Sequence, residues 1–327
     1  MAGFLLRRLG GGLLLVVVVS SCAYLLAASA LDPRGNYEGR QPPLPEHVVD
    51  TLLERYNLSD RVPLAERYVT WAGNVLTGDL GRTWDGRPIG EEVERRAGVT
   101  LRLVVPGVLV GGVTGVLVGA WAGARRYGAV DRLSTVGAFL VISTPAIVIA
   151  VCLQNTALWV NDVAGTDLLR ATGEYTHALP GDAWDAAVDR ARHLVLPTLT
   201  IALPLAAVYS RYQRALMADQ VGADHVRTAR AKGLTRRSAL LRHGLRPTLG
   251  SAFAYFGYSS AALFTGAVFT EKVFGWHGLG EFLLDSVAKG DVNAVAAVCA
   301  LAAATLVAVG ILADVARFLL DPRAREV

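Results

Sequence analysis

Charge is scarce in this chain of 327 residues. Charged side chains make up 18% of it, where about 25% is usual for a soluble domain. Cysteine is scarcer still, with three residues, and methionine occurs twice. Three thiols at Cys22, Cys152 and Cys299, all inside apolar runs, form neither a disulfide framework nor a metal set. They read as small apolar residues. The six histidines are scattered and make no H-E-x-x-H pattern, and no Gly-Lys dipeptide occurs, so a Walker A phosphate loop is excluded. No catalytic constellation stands out, and the chain reads as something other than an enzyme. The paucity of charge also argues against disorder and against a strongly basic nucleic-acid binder.

What is abundant is apolar. Hydrophobic residues account for 53% and mean hydropathy is +0.39. They are concentrated in six stretches free of Asp, Glu, Lys and Arg: Leu9 to Leu31, Leu103 to Ala124, Leu133 to Asn161, Leu194 to Ser210, Pro247 to Thr270 and Val292 to Ala313. A membrane-crossing helix needs roughly 20 apolar residues, because each adds about 1.5 Å against a core of about 30 Å. Core helices of soluble proteins keep a polar face, which these runs lack. The fourth is short and is extendable if Arg211 snorkels. The expectation is an all-α membrane protein with six spans and a mixed extracytoplasmic segment between the first two. Arg7-Arg8, the first run and Ala28-Ser29-Ala30 also suit a signal peptide, but the length favours an uncleaved span. Gly111, Gly112, Gly115 and Gly119 are the small residues that let membrane helices pack closely.

The net charge of +4 conceals an asymmetry. Segments 1–8, 125–132, 211–246 and the tail from Asp314 together carry +11, whereas 32–98, 162–192 and 271–291 together carry −8. Lys and Arg are retained inside, so both termini are expected in the cytoplasm. The expected organisation is a first span over 1–31, an extracytoplasmic segment over 32–98, a core over 99–318 and a tail over 319–327.

The spans hold no ionisable group in mid-membrane of the kind that ion-coupled carriers keep. Their polar residues are mild: Ser143, Thr144, Gln154, Asn155 and Thr265. Pro145 interrupts the third run, and Ser143, Thr144, Pro145, Gln154 and Thr265 are candidates for lining a substrate path. A packing kink whose hydroxyls bond back to the chain is the equal alternative. Energy, where needed, is expected from a partner.

Segment 211–246 carries +7 and has its own organisation. The pattern predicts a helix from Ala218 to Lys232, with Ala223, Val226, Ala229 and Gly233 near one face. Gly233 predicts a stop, and Thr235 predicts the cap of a second helix. Such a helix–turn–helix suits docking onto a soluble partner. Its small residues allow close approach, and Arg227, Arg230, Lys232, Arg236 and Arg237 supply hydrogen bonds.

Arg227-Thr228-Ala229, three residues and then Gly233 resemble the EAA signature of ABC importer permeases. The text from Asp224 to Leu245, centred on Val226-Arg227-Thr228-Ala229-Arg230-Ala231-Lys232-Gly233-Leu234, is similar to the oligopeptide/dipeptide branch. Leu58-Ser59-Asp60-Arg61, Gly78-Asp79-Leu80-Gly81 and Arg87-Pro88 are similar to the extracytoplasmic segment of its B-type subunit, and Glu271 to Gly280 resembles the loop before the last span. Arg227 stands where the general signature has Glu, Leu245-Arg246 where it has Leu-Pro, His277 where Pro is usual, and Gly290-Asp291 where Arg-Asp is. The resemblance implies the type I permease fold in a bacterial inner membrane. It implies a heteromer with a second permease subunit, two ATPase subunits and an extracytoplasmic binding protein, with no nucleic acid. ATP and Mg would be bound by the partners, and this chain would bind no cofactor or metal. The ATPase-coupling residues would be Asp224 and Val226 through Leu234. The implied substrate is a peptide; relatives that take nickel, glutathione or oligosaccharide are alternatives, and a non-pumping scaffold or channel is an alternative of another class.

Overall fold

The computed structural model describes residues 2–38, 41–42, 44–177, 181–261 and 267–320. Their helices in chain order are α1 (Ala2–Ala30), a 3-10 turn (Arg34–Tyr37), α2 (Glu46–Arg55), α3 (Leu64–Leu76), α4 (Ile89–Ala124), α5 (Ala129–Ser143), α6 (Ala146–Ala164) and α7 (Ala183–Gln220). Then come α8 (Asp224–Ala231), α9 (Arg236–Ala239), a π-helical turn (Leu240–Gly244), α10 (Leu245–Ala261), α11 (Val268–Phe274), α12 (Leu279–Ala288) and α13 (Val292–Leu320). Among the described residues there is no strand, only one antiparallel bridge between Arg82 and Pro88. The all-α expectation holds.

Five of these helices have stretches long and apolar enough to cross a membrane: Arg7–Ala30, Ile89–Ala124, Ala146–Ala164, Ala183–Gln220 and Val292–Val315. Three departures from the sequence reading have physical causes. The third run is two helices, because Pro145 forces Thr144 before it out of the helical region, to φ −95° and ψ 125°. Pro145 itself, at φ −57° and ψ 141°, starts α6. The fourth run is the middle of a 38-residue helix. That helix begins where Asp182 accepts the amides of Trp184 and Asp185 at 2.8 and 3.1 Å, and the Asp185 carboxylate accepts the amide of Asp182. The fifth run meets α10, and residues 262–266, Thr265 among them, lie outside the described residues.

The contacts divide the chain into two compact units. One holds the described residues of 1–100, 267–268 and 277–308. Its core joins Tyr24, Tyr37, Leu53, Leu58 and Trp71 to Val292 and Ala296. A second cluster sets Ile89 and Val93 against Leu279, Phe282 and Ala294. Asp291 starts α13: its carboxylate accepts the amides of Trp84 at 2.9 Å and Ala294 at 3.1 Å. It is 1% exposed. Burial pushes this carboxyl up to about 6, with Asp85 adding to the push and the two amides and Lys289 opposing it.

The other unit holds the described residues within 101–261, 269–276 and 309–320. Its central contact is α4 on α7. Gly107, Gly111, Gly115, Gly119 and Gly123 recur every fourth residue and so share one face of α4. A Cβ built on Gly111 would lie 2.8 Å from the Ala202 carbonyl, and one on Gly115 3.0 Å from that of Ala206. On Gly123 it would lie 2.6 Å from the Arg214 carbonyl, and on Gly119 it would meet the Ser210 carbonyl. Backbone therefore packs on backbone along α4, with no room for a methyl group.

Gly119→Leu should cost more than the about 1–3 kcal/mol of ordinary overpacking, since the obstacle is a carbonyl and not a movable side chain. A Cβ on the neighbouring Gly112 meets nothing within 4 Å, so Gly112→Leu should stay within about 0.5 kcal/mol. Thermal melts of the two detergent-extracted variants give the comparison. A second expectation concerns pH. Asp291 binds its proton more tightly in the folded chain than at the ordinary value of 3.8. Stability should therefore fall as pH rises from about 4 to about 6 and level off above. Asp291→Asn, whatever its absolute stability, should lose that slope in melts across the same range.

Candidate functional site

The basic segment folds as the helix–turn–helix expected of it, with altered edges. The first helix starts at Asp224, not Ala218, because Ala218 to Gln220 finish α7. Ala223 is extended, at φ −67° and ψ 143°, and receives α8 by accepting the amides of Val226 and Arg227, both at 3.0 Å. Gly233 ends the turn at φ +93°. The amide of Leu234 reaches the carbonyl of Ala229 at 3.3 Å, and that of Gly233 reaches Arg230 at 2.9 Å. These two bonds are a Schellman motif, which needs the left-handed residue that Gly233 supplies. Thr235 Oγ1 then accepts the amide of Ser238 at 3.3 Å and caps α9. The second helix does not stop near Leu245. It passes through the π-helical turn directly into α10, whose third residue is Pro247.

Val226 and Ala229 face inward. They form a cluster with Met217, Ala239 and Leu240, onto which Ala120, Ala124, Val221, Leu234 and Leu245 pack. This corrects the expectation that the small-residue face of α8 meets a partner. That face seats α8 on the ends of α4 and α7. The opposite face is open: Asp224, Arg227, Thr228, Arg230, Ala231, Lys232 and Gly233 are exposed. Of the expected coupling residues, the structure thus brings Val226, Ala229 and Leu234 into the seat and leaves the others on the surface.

Electrostatic links hold the seat. Arg236 Nη2 donates to the carbonyl of Ala124 at 3.2 Å, placing a cation on the C-terminal end of α4. Arg214 on α7 forks onto Asp131 at the start of α5, with Nη2 to Oδ2 at 2.9 Å. The same carboxylate accepts the amide of Tyr127 at 2.8 Å and so holds that residue at φ +65°. The Arg214 guanidinium draws the Asp131 carboxyl down to about 2 against the cost of burial, helped by the Tyr127 amide. Sequence reasoning missed this pair. Its members are 83 residues apart, and each was counted only as loop charge.

Of the residues considered for a substrate path, Ser143, Thr144, Pro145 and Gln154 do not gather at one point, and Thr265 lies outside the described residues. Ser143 Oγ and Thr144 Oγ1 both donate to the Leu140 carbonyl, at 3.0 and 2.7 Å. That is the bonding-back arrangement, at the end of α5. Gln154 lies nine residues, or about 14 Å, along α6 from Pro145. Its Nε2 donates to the Ala171 carbonyl at 3.2 Å and reaches that of Val273 at 3.5 Å, joining a loop to the end of α11. Among the described residues no group of three His, Cys, Asp or Glu is placed to hold a metal ion.

Asp131→Asn should destabilise the fold by about 1–3 kcal/mol, because it leaves Arg214 without its charged partner. With a folded carboxyl value of about 2 and an ordinary one of 3.8, the stabilisation is complete above about pH 4 and lost as pH falls toward 2. The deficit of the variant should therefore be constant from about pH 5 to 8 in thermal melts.

Comparison with known proteins agrees with this geometry. Residues 115–326 match the family described as binding-protein-dependent transport system inner membrane component. The oligopeptide transport system permease protein OppB of Mycobacterium tuberculosis (strain ATCC 25618 / H37Rv) is 45% identical over 325 residues, covering 99% of each chain. The oligopeptide permease AppB of Bacillus subtilis (strain 168) is 28% identical over 280 residues, covering 84% of each. The glutathione permease GsiC of Escherichia coli O6:H1 is 29% identical over 285 residues, covering 87% of this chain and 86% of its own. With its seated α8 and its apolar helices, the chain belongs to the family of inner-membrane components of binding-protein-dependent transport systems.

Proposed function

We propose that this chain is one permease subunit of an ATP-driven importer that moves oligopeptides or dipeptides into the cytoplasm. The observation that carries the substrate is the 45% identity, over nearly all of both chains, to an oligopeptide permease. The machine would pair this chain with a second permease subunit and two ATPase subunits that bind ATP and Mg. A binding protein would deliver peptide from outside. The six charge-free runs support six spans, and the charge asymmetry supports both termini in the cytoplasm.

The exposed face of α8 is the proposed ATPase contact. A helix seated on the ends of α4 and α7 transmits a push from outside the membrane to two membrane helices at once. ATP binding and hydrolysis in the partners would then swing the helices between outward and inward access. Import of glutathione is the second reading, favoured by the likeness to the Escherichia coli permease. Competition of labelled tripeptide uptake by glutathione separates the two.

Gly233 tests the coupling role. A Cβ there meets nothing within 4 Å, so only its positive φ resists substitution. Left-handed backbone costs a non-glycine residue roughly 1–2 kcal/mol, and Asn less. Gly233→Val should lower peptide uptake at least about tenfold while membrane insertion is unchanged, and Gly233→Asn should restore much of it. Co-purification of the ATPase subunits should fall in the same order. Normal uptake and normal ATPase recovery with Val would refute the coupling role.

A further inference from the structure

The sequence places all of 32–98 outside the membrane, yet α3 lies against the apolar part of α1. Tyr68 Oη and Ser21 Oγ are 2.8 Å apart. The Tyr24 and Trp71 rings stack with centroids 4.6 Å apart. Arg67 Nη2 donates to the Ala28 carbonyl at 3.4 Å. Ser21 is seven residues, about 10 Å, closer than Ala28 to the Arg7-Arg8 end of α1. The stretch Arg7–Ala30 is long and apolar enough to span the bilayer. So the Tyr68 side of α3 points toward the membrane interior, and the Arg67 side toward the outer end of α1.

The exposed residues of α3 sort along that same direction. At about 100° per residue, Ala65, Leu76, Val69 and Gly73 follow Tyr68 around the helix, away from Arg67. Glu66, Thr70 and Asn74 then complete the circle back to Arg67. All seven are exposed, Val69 by 68% and Leu76 by 88%. The apolar sector therefore lies on the membrane side and the polar sector on the other. The helix that α3 leans on is itself open and apolar, with Val18, Leu25 and Leu26 exposed on α1. Helices of this amphipathic kind lie in the interface with one face among the acyl chains.

We propose that α3 is an interfacial helix whose Ala65–Val69–Gly73–Leu76 face is immersed in the outer leaflet, with lipid as its occupant. It would fix the depth of α1 and hold the segment after it against the membrane surface. The proposal rests on α1 crossing the bilayer and not on the identity of the transported substrate.

The test uses the full transporter in lipid nanodiscs, with Cys22, Cys152 and Cys299 replaced by Ala and uptake retained as the check on folding. Nitroxide labels go onto Val69→Cys, Leu76→Cys, Thr70→Cys and Asn74→Cys, one at a time. At Val69 and Leu76, collision with a water-soluble nickel chelate should be about tenfold less frequent than at Thr70 and Asn74, and collision with membrane-dissolved oxygen correspondingly more frequent. Equal behaviour at all four sites would overturn the proposal. Shielding of Val69 and Leu76 from both reagents would overturn it too, and would assign the face to a protein subunit. Should Val69→Cys fail to assemble, Leu76→Cys against Asn74→Cys decides alone.

Discussion

The core of this chain depends on how closely two backbones can approach. Lipid offers no hydrophobic reward for bringing membrane helices together, so association rests on packing. Four glycines spaced by four, Gly111 to Gly123, place α4 directly on the carbonyls of α7, from Ala202 to Arg214, and Gly107 extends the row against the Ile201 side chain. Packing density follows from main chain, which has no rotamers to rearrange. The contact ends where α8 begins, because Met217, Ala120 and Ala124 belong to the cluster that receives Val226 and Ala229. The α4–α7 contact and the helix–turn–helix of α8 and α9 are thus one continuous piece of packing. The Asp131–Arg214 fork ties α5 into it from the side.

Much of the fold is visible from the sequence, since charge-free runs of this length have few uses outside a bilayer. Asp182 shows where that approach stops. A search for uncharged residues ends at Leu194, but the helix begins eleven residues earlier, because capping hydrogen bonds and not hydropathy set its start. Thr144 shows the opposite error. Hydropathy runs through it unbroken, whereas the steric demand of Pro145 ends a helix there.

The helix–turn–helix of α8 and α9 is legible in outline for local reasons. Gly233 and Thr235 act through their own backbone and near neighbours, so their roles can be read from a few residues. The direction in which α8 faces is not local. Val226 and Ala229 turn inward because Met217 and Leu240 are there to receive them, and one face of small residues suits a partner or a core equally well. The pairing of Asp131 with Arg214 is likewise a property of the folded chain. No periodicity joins residues on different helices.

The break at Thr144-Pro145 also alters what the third apolar run can do. Pro145 has no amide hydrogen, and the Thr144 amide bonds back to Val141 at 3.2 Å. The next bonds begin afresh, with Val148 and Ile149 donating to the Pro145 carbonyl. The column of backbone bonds that stiffens a helix is therefore interrupted. In hydropathy the run is one object, but in mechanics it is two short rods with a swivel between them. Backbone hydrogen bonds therefore do not fix the angle between α5 and α6; their packing on α7 does.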